Sequence, residues 1–336
     1  MLGVDWIILL SGAALAFSVL NYVLLDGTDL GVGMLMGVTH CPVQRRAMAL
    51  SILPIWDANE TWLVLGGGGL FALFPMAYAV LLPALYLPFI SMFMALIVRA
   101  LALEFRDQAS RSGIKRVIDR CLGVASFITS MSQGTVLGTL VQGVPVQDGR
   151  FAGSGWEWLS AFPLFCGGVL VVGYLWLGTC WLYWRTENPL QHNAARLAKL
   201  LSGPTLILLA TLVVWTSTLA PQYADRLTNL AIIAPVVALT LIASVLFFFS
   251  FRTRQDCAPL FCALGVFVVG FALMVATLFP LIVPPDLTLL GTASGQASQQ
   301  FMLIGFALLM PVTLFYNTYG FKVFSGKIRA QKNDRD

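Results

Sequence analysis

The sequence predicts an all-α, polytopic integral membrane protein with about nine transmembrane helices. Three observations carry that expectation. Hydrophobic residues make up 58% of the 336 and charged residues only 11%, with a mean hydropathy of +0.83; this leaves too little polar material to cover a water-facing globule. Nine apolar segments come near or exceed the ~20 residues that a helix needs to cross a bilayer. Lys and Arg concentrate on alternate loops, as they do when positive charge is retained on the cytoplasmic side.

In chain order the segments are residues 5–25, 59–80, 81–103, 119–143, 160–184, 203–220, 228–250, 258–283 and 299–320, the second and third divided only by a weak break from Tyr78 to Pro83. Seventeen of the 20 Lys and Arg residues fall on one side of such a chain: in residues 26–58, around residues 104–120, in residues 185–202 and 251–257, and from Lys322 onward. The opposite side has Arg150 and Arg226, and Arg99 lies inside the third segment. The expected topology is therefore amino terminus outside and carboxyl terminus inside. "MLGVDW" has no basic start and no small-residue cleavage site follows, so the first helix is expected to stay. Without internal repeats, low-complexity linkers or a long soluble insertion, residues 1–336 read as one membrane domain. Trp6, Trp156 and Trp158 outside, and Tyr183 and Trp184 inside, fall where interfacial anchors belong.

Several function classes are disfavoured. The net charge of +4 is accounted for by the inner loops and gives no reason to expect a nucleic-acid partner. The six cysteines are scattered without a C-x-x-C pair, so neither a disulfide framework nor a zinc site is expected. The two histidines, His40 and His192, fall in loops, which argues against haem held by this chain. Gly33-x-x-x-Gly37 and the run Gly66 to Gly69 suit close helix packing; the G-x-G-x-x-G spacing of a nucleotide loop is absent.

The acids are the candidate functional residues. Asp26 and Asp29 end the first segment and share a face if the helix continues through them. In "LPIWDANETW", Trp56 precedes Asp57, with Asn59 and Glu60 opening the second segment, and Glu104 closes the third. Asp57 can be read as a helix cap, and Asp26-Gly27 as a turn. Asp29 is set among apolar residues, where a carboxylate is costly unless paired or hydrated, and such residues mark ion or proton paths. Arg99, about one and a half turns before Glu104, is placed to set that acid's charge or to contact a partner.

The order "DGTDLGVGML", "WDANETWLV", "LEFR", "VQGVPV" and "LFPLIVPP" resembles subunit II of the bd-type quinol oxidases along most of the chain. Glu60-Thr61 is more similar to the cyanide-insensitive branch, which leaves the terminal haem undetermined. The resemblance implies a fold of two four-helix bundles plus one peripheral helix, and a bacterial inner-membrane heterodimer. In it, subunit I carries two b haems and one d-type haem or b variant, together with the quinol site. The complex would oxidise quinol, ubiquinol for instance, and reduce dioxygen to water, charging the membrane without pumping. This chain, haem-free and not catalytic alone, would supply a proton path of Asp26, Asp29, Asp57 and Glu104, supported by Trp56, Asn59, Glu60 and Arg99. A structural quinone in this subunit, a small accessory subunit and membrane lipids are further partners that the resemblance admits. From a different class, a proton- or ion-coupled secondary transporter would bind its ion at a broken helix near Asp29. A scaffold would use the acids structurally.

Overall fold

The computed structural model describes residues 2–253, 255–323 and 326–328. Of the basic charges counted above, Arg254, Arg329, Lys332 and Arg335 lie outside the described residues. The chain is helical almost throughout, with two short antiparallel hairpins. It opens with α1 (Leu2–Val38), α2 (Pro42–Ile52), α3 (Trp56–Leu73), α4 (Pro75–Ala84), α5 (Tyr86–Phe105) and α6 (Ser112–Gln142). A hairpin of β1 (Val146–Gln147) and β2 (Arg150–Phe151) leads to α7 (Ala161–Arg185), α8 (Asn188–Ser217), α9 (Pro221–Leu227), α10 (Leu230–Ser250) and α11 (Ala258–Leu278). The second hairpin, β3 (Leu281–Val283) with β4 (Leu287–Thr288), precedes α12 (Leu289–Thr292) and α13 (Gln296–Val323). Among the described residues eight helices are long and apolar enough to cross a membrane, and the bent pair α3 and α4 makes up to nine. The protein is a multi-pass membrane protein.

Several boundaries differ from the sequence expectation for identifiable reasons. The first helix does not stop at residue 25: α1 runs through Asp26-Gly27 and Asp29 to Val38, so the turn reading of Asp26-Gly27 gives way to continuous helix. The segment at residues 59–80 is broken at Phe74, where the chain bends by 120° into α4. Pro75 opens α4, a position where its missing N–H costs no helical bond. The sixth segment, expected from residue 203, begins at Asn188; Ala194, Ala198, Ser202 and Thr205 bury one stripe of α8, and that stripe carries the polar first half into the bundle. The segment expected to reach residue 283 leaves the helix at Leu278 and enters the hairpin.

α1 is the central helix and packs against α3, α6 and α7, while α5 packs on α6, α7 on α8, α10 on α11 and α3 on α13. Glycine makes the tightest crossings. Gly37 of α1 faces Gly123 of α6, and a Cβ added at Gly37 would sit 2.8 Å from the Gly123 Cα. Gly31 meets the Tyr174 carbonyl and Gly178 of α7 just as closely, so no side chain fits there. By contrast α10 turns Val237, Leu239, Leu241, Ile242, Val245 and Leu246 outward, an apolar surface that suits lipid and not water.

The basic loops converge on one end of the bundle. Arg45 before α3 and Arg106 after α5 both reach Asp119 near the start of α6. Trp181 of α7 donates to Ser51 of α2, Thr186 bridges to Ile328, and Lys327 pairs with Asp256. At the other end Gln299 donates to the Leu73 carbonyl (2.6 Å), the Val144 N–H donates to Pro284, and Arg226 ties down the carbonyls of Ala276, Thr277 and Phe279 at the close of α11.

Candidate functional site

Because α1 continues past residue 25, Asp26 and Asp29 lie one turn apart on one buried face. Opposite them stands Arg99 of α5. Its Nη1 lies 2.6 Å from Asp26 Oδ1 and 3.2 Å from Glu60 Oε1, and its Nη2 lies 3.8 Å from Asp29 Oδ2. The Asn59 amide donates to Asp29 Oδ2 at 2.7 Å. Arg99, Asp26 and Asp29 are wholly excluded from solvent, whereas the Glu60 side chain remains 27% exposed. One guanidinium therefore faces three carboxylates from α1 and α3, two of them fully buried. A buried ion pair is stable only when geometry and hydrogen bonds offset desolvation, and here the surplus of negative charge makes a proton the natural counter-ion.

Of the residues expected from sequence to line a proton path, Asp26, Asp29, Asn59, Glu60 and Arg99 come together. Asp57 does not join them. It is exposed in the first turn of α3, where Ile55 and not Asp57 is the N-cap, so the cap reading gives way; its carboxylate accepts the Ala58 N–H at 2.8 Å and favours the helix start by its charge. Trp56, half-buried beside it, packs against the apolar core. Glu104 is exposed on α5 and is not among the ion-pair partners of Arg99. Five helical residues separate the two by about 140° around the axis, so they cannot share a face. The Arg99 partners are on α1 and α3 instead.

Two arrangements went unrecognised in the sequence. The Gln133 amide of α6 donates to the Tyr22 hydroxyl at 2.7 Å and accepts from the Tyr174 hydroxyl at 2.8 Å, one turn along α1 from Asp26. Beyond Tyr22 and Gln133 opens an apolar cavity of 510 Å³, also lined by Trp62, Gly66, Phe89 and Phe271. The second arrangement is the buried trio of Arg45, Arg106 and Asp119. Asp119 Oδ1 accepts from Arg106 Nε at 2.6 Å, and its Oδ2 lies 2.9 Å from Arg45 Nη1. Neither has a spacing signal, because the partners come from different helices, and Asp119 lies among Lys115, Arg116 and Arg120, where an acid is unremarkable. His40 and His192 are both exposed, and no group of three His, Cys, Asp or Glu among the described residues could hold a metal ion.

Residues 7–324 match the family model "Cytochrome bd terminal oxidase subunit II". The chain is 27% identical over 321 residues to "Cytochrome bd ubiquinol oxidase subunit 2" of Bacillus subtilis, covering 92% of this chain and 93% of that one. It is 25% identical over 356 residues to "Cytochrome bd-I ubiquinol oxidase subunit 2" of Escherichia coli, with 94% of each covered. Among solved structures, the bd oxidase from Geobacillus thermodenitrificans superposes with a TM-score of 0.73 at 18% identity, over 95% of this chain and 99% of that one, a likeness of fold. With a model match across nearly its whole length, the chain belongs to the cytochrome bd terminal oxidase subunit II family.

Proposed function

We propose that this chain is the haem-free partner of a haem-bearing subunit I in a quinol oxidase, and that it delivers protons from the inner face toward the site of oxygen reduction. The observation that carries this reading is the buried cluster of Asp26, Asp29 and Arg99 with the half-open Glu60 at its edge. A carboxylate reachable from outside and in contact with the same guanidinium as two sealed ones is a place where a proton can be taken up and passed inward. Asp57, at the start of the same helix, would gather protons at the mouth, and Glu104, exposed on α5, would do the same from the neighbouring helix. Trp56 would hold the start of α3 in place.

The amino terminus would lie outside and the carboxyl terminus inside, since the described basic loops share one end and positive charge is retained in the cytoplasm. Each proton taken from inside and used for water, balanced by one released outside from quinol, moves one charge without a pump, worth about 2.3 kcal/mol per 100 mV. Haem would be ligated by subunit I, because both histidines of this chain are exposed and neither lines the 510 Å³ cavity.

The 510 Å³ cavity suits an isoprenoid quinone held structurally, by the character of its lining: aliphatic and aromatic walls with Tyr22 and Gln133 at the rim. The buried Trp62 indole N–H, without a protein partner among the described residues, supplies a free donor there. Such a quinone would take part in electron transfer only with a redox partner in subunit I within reach; this chain would grip its apolar tail and one polar edge.

Asp29→Asn tests the reading. An amide nearly matches the carboxylate in size but cannot take up and release a proton at neutral pH. Turnover should fall while haem content stays normal. Full turnover with saturating quinol and oxygen would remove the proton-uptake role.

A further inference from the structure

A second, smaller cavity of 130 Å³ lies between the start of α3 and the end of α13, at the basic end of the bundle. Its walls include Pro54, Ile55, Asn59, Tyr316, Asn317 and Gly320. Two features mark it as more than a packing gap. Asn317 is 5% exposed, yet neither its Oδ1 nor its Nδ2 has a hydrogen-bond partner among the described residues. Asn59 is 1% exposed, and while its Nδ2 is committed to Asp29, its Oδ1 is equally unpartnered. Buried amides are paired in folded proteins, so orphaned ones lining a cavity point to a ligand.

We propose that this cavity is a water site in which Asn317 holds ordered water against Asn59, and that Asn317 is thereby a positioning residue for Asp29. The chemistry selects water. The unpartnered atoms are two carbonyl oxygens and one amide N–H pair; a cation would leave the N–H groups unmet, and an anion would face two carbonyl oxygens. Water both donates and accepts, and at ~30 Å³ each a short file of waters fits the volume. The consequence reaches Asp29 through the Asn59 amide. An amide has a carbonyl acceptor as well as its N–H donors, and it is held more firmly with both ends engaged than with one. Water donating to Asn59 Oδ1 holds its Nδ2 toward Asp29 Oδ2, which keeps that carboxylate aimed with its Oδ1 free. Asp26 from α1, Glu60 from α3 and Arg99 from α5 are the charged groups that surround it.

The inference rests on the proton-uptake reading for its role and on geometry alone for its occupant, and the tests separate the two. A high-resolution electron cryomicroscopy map of the purified oxidase should show water within hydrogen-bond distance of both Asn317 and Asn59. A dry cavity, or a lipid chain in it, overturns the site. In turnover assays Asn317→Leu should lower kcat by about two- to tenfold, the net worth of one hydrogen bond. KM for quinol should stay unchanged and the haem content normal. Asn317→Ser, which keeps a donor and an acceptor and leaves room for one more water, should recover most of the rate. Equal losses in Leu and Ser, or full turnover in Leu, overturn the positioning role. In an Asp29→Asn background Asn317→Leu should add nothing further; an additional loss shows that Asn317 acts elsewhere. Unchanged turnover in Asp29→Asn by itself defeats the proton reading and the positioning role together, while the water site stands or falls on the map.

Discussion

Arg99 of α5 and Asp26 of α1 form an ion pair of 2.6 Å with both side chains wholly excluded from solvent. The pair explains why α1 can run through an acid at membrane depth without breaking: the charge is met across the helix contact. It also fixes the geometry around which Asp29 and Glu60 gather.

Removing the cation should therefore cost stability before it costs chemistry. Arg99→Met leaves two sealed carboxylates unopposed, and breaking a buried pair from one side costs about 3–5 kcal/mol. The expected outcome is a complex that assembles poorly or melts early, measured as haem recovered per membrane protein and as the midpoint of thermal unfolding. Arg99→Lys should recover only part of the loss, because a point charge cannot contact Asp26 and Asp29 with separate nitrogens.

Asp57→Asn should behave differently from Asp29→Asn. Asp57 is exposed in the first turn of α3 and accepts the Ala58 N–H, a bond that the Asn carbonyl oxygen can also accept. Assembly and thermal stability should therefore be unchanged, within about 0.5 kcal/mol, the spread of surface substitutions. Any fall in turnover then reports proton gathering and not helix stability. Turnover at the normal rate limits Asp57 to its helix end.

Much of this was legible in the sequence and some of it was not, for physical reasons. The apolar segments announced themselves by composition, and Asp29, Asn59 and Glu60 by polar chemistry where little is tolerated. The extension of α1 beyond residue 25 was hidden because its permit, Arg99, comes from a helix some seventy residues later. Nearness in sequence points Arg99 to Glu104 or to a partner, although helical rotation keeps it from Glu104 and its ion pairs are with α1 and α3. The division expected from Tyr78 to Pro83 falls at Leu85, between α4 and α5, because Pro83 sits inside α4; the bend at Phe74, opened by Pro75, is a further break that the apolar run of the second segment hides. Asn317 drew no attention at all, since an amide near the end of an apolar helix has no pattern until its surroundings are known.

The α1–α6 crossing should be intolerant of added volume. A Cβ at Gly123 would lie 2.6 Å from the Gly37 Cα, backbone against side chain, with nothing flexible to give way. Gly123→Ala should cost about 1–3 kcal/mol, as overpacking does, read as a lowered unfolding midpoint. Gly68→Ala, where no atom lies within 4 Å of the new methyl, is the control and should be neutral.

Topology is testable on whole cells. With the six native cysteines replaced by Ser, a single cysteine at Ser112, at the basic end, should resist a membrane-impermeant maleimide added outside. A cysteine at Ala152, beside the β1–β2 hairpin, should react. The reverse pattern would invert the orientation and place the acids' end outside.

Asp119 supplies the contrast that separates charge held for stability from charge held for protons. Its carboxylate is buried and is met by two arginines, Arg45 at 2.9 Å and Arg106 at 2.6 Å, and with the exposed Asp107 3.3 Å from Arg106 the charges there balance. Asp29, by contrast, shares one guanidinium with two other acids. A carboxylate already gripped by two cations gains nothing from a proton, whereas one in a negative surplus does. Asp119→Asn removes the charge but keeps the shape, leaving two buried guanidinium groups facing a neutral amide that can accept on one oxygen only. The expected loss is about 3–5 kcal/mol, seen as earlier melting and less complex recovered. The turnover of what does assemble, normalised to haem, should match that of the unaltered oxidase. If turnover per haem instead falls as expected for Asp29→Asn, then the trio of Arg45, Arg106 and Asp119 takes part in proton delivery, and its role as a clamp between α2, α5 and α6 is not sufficient.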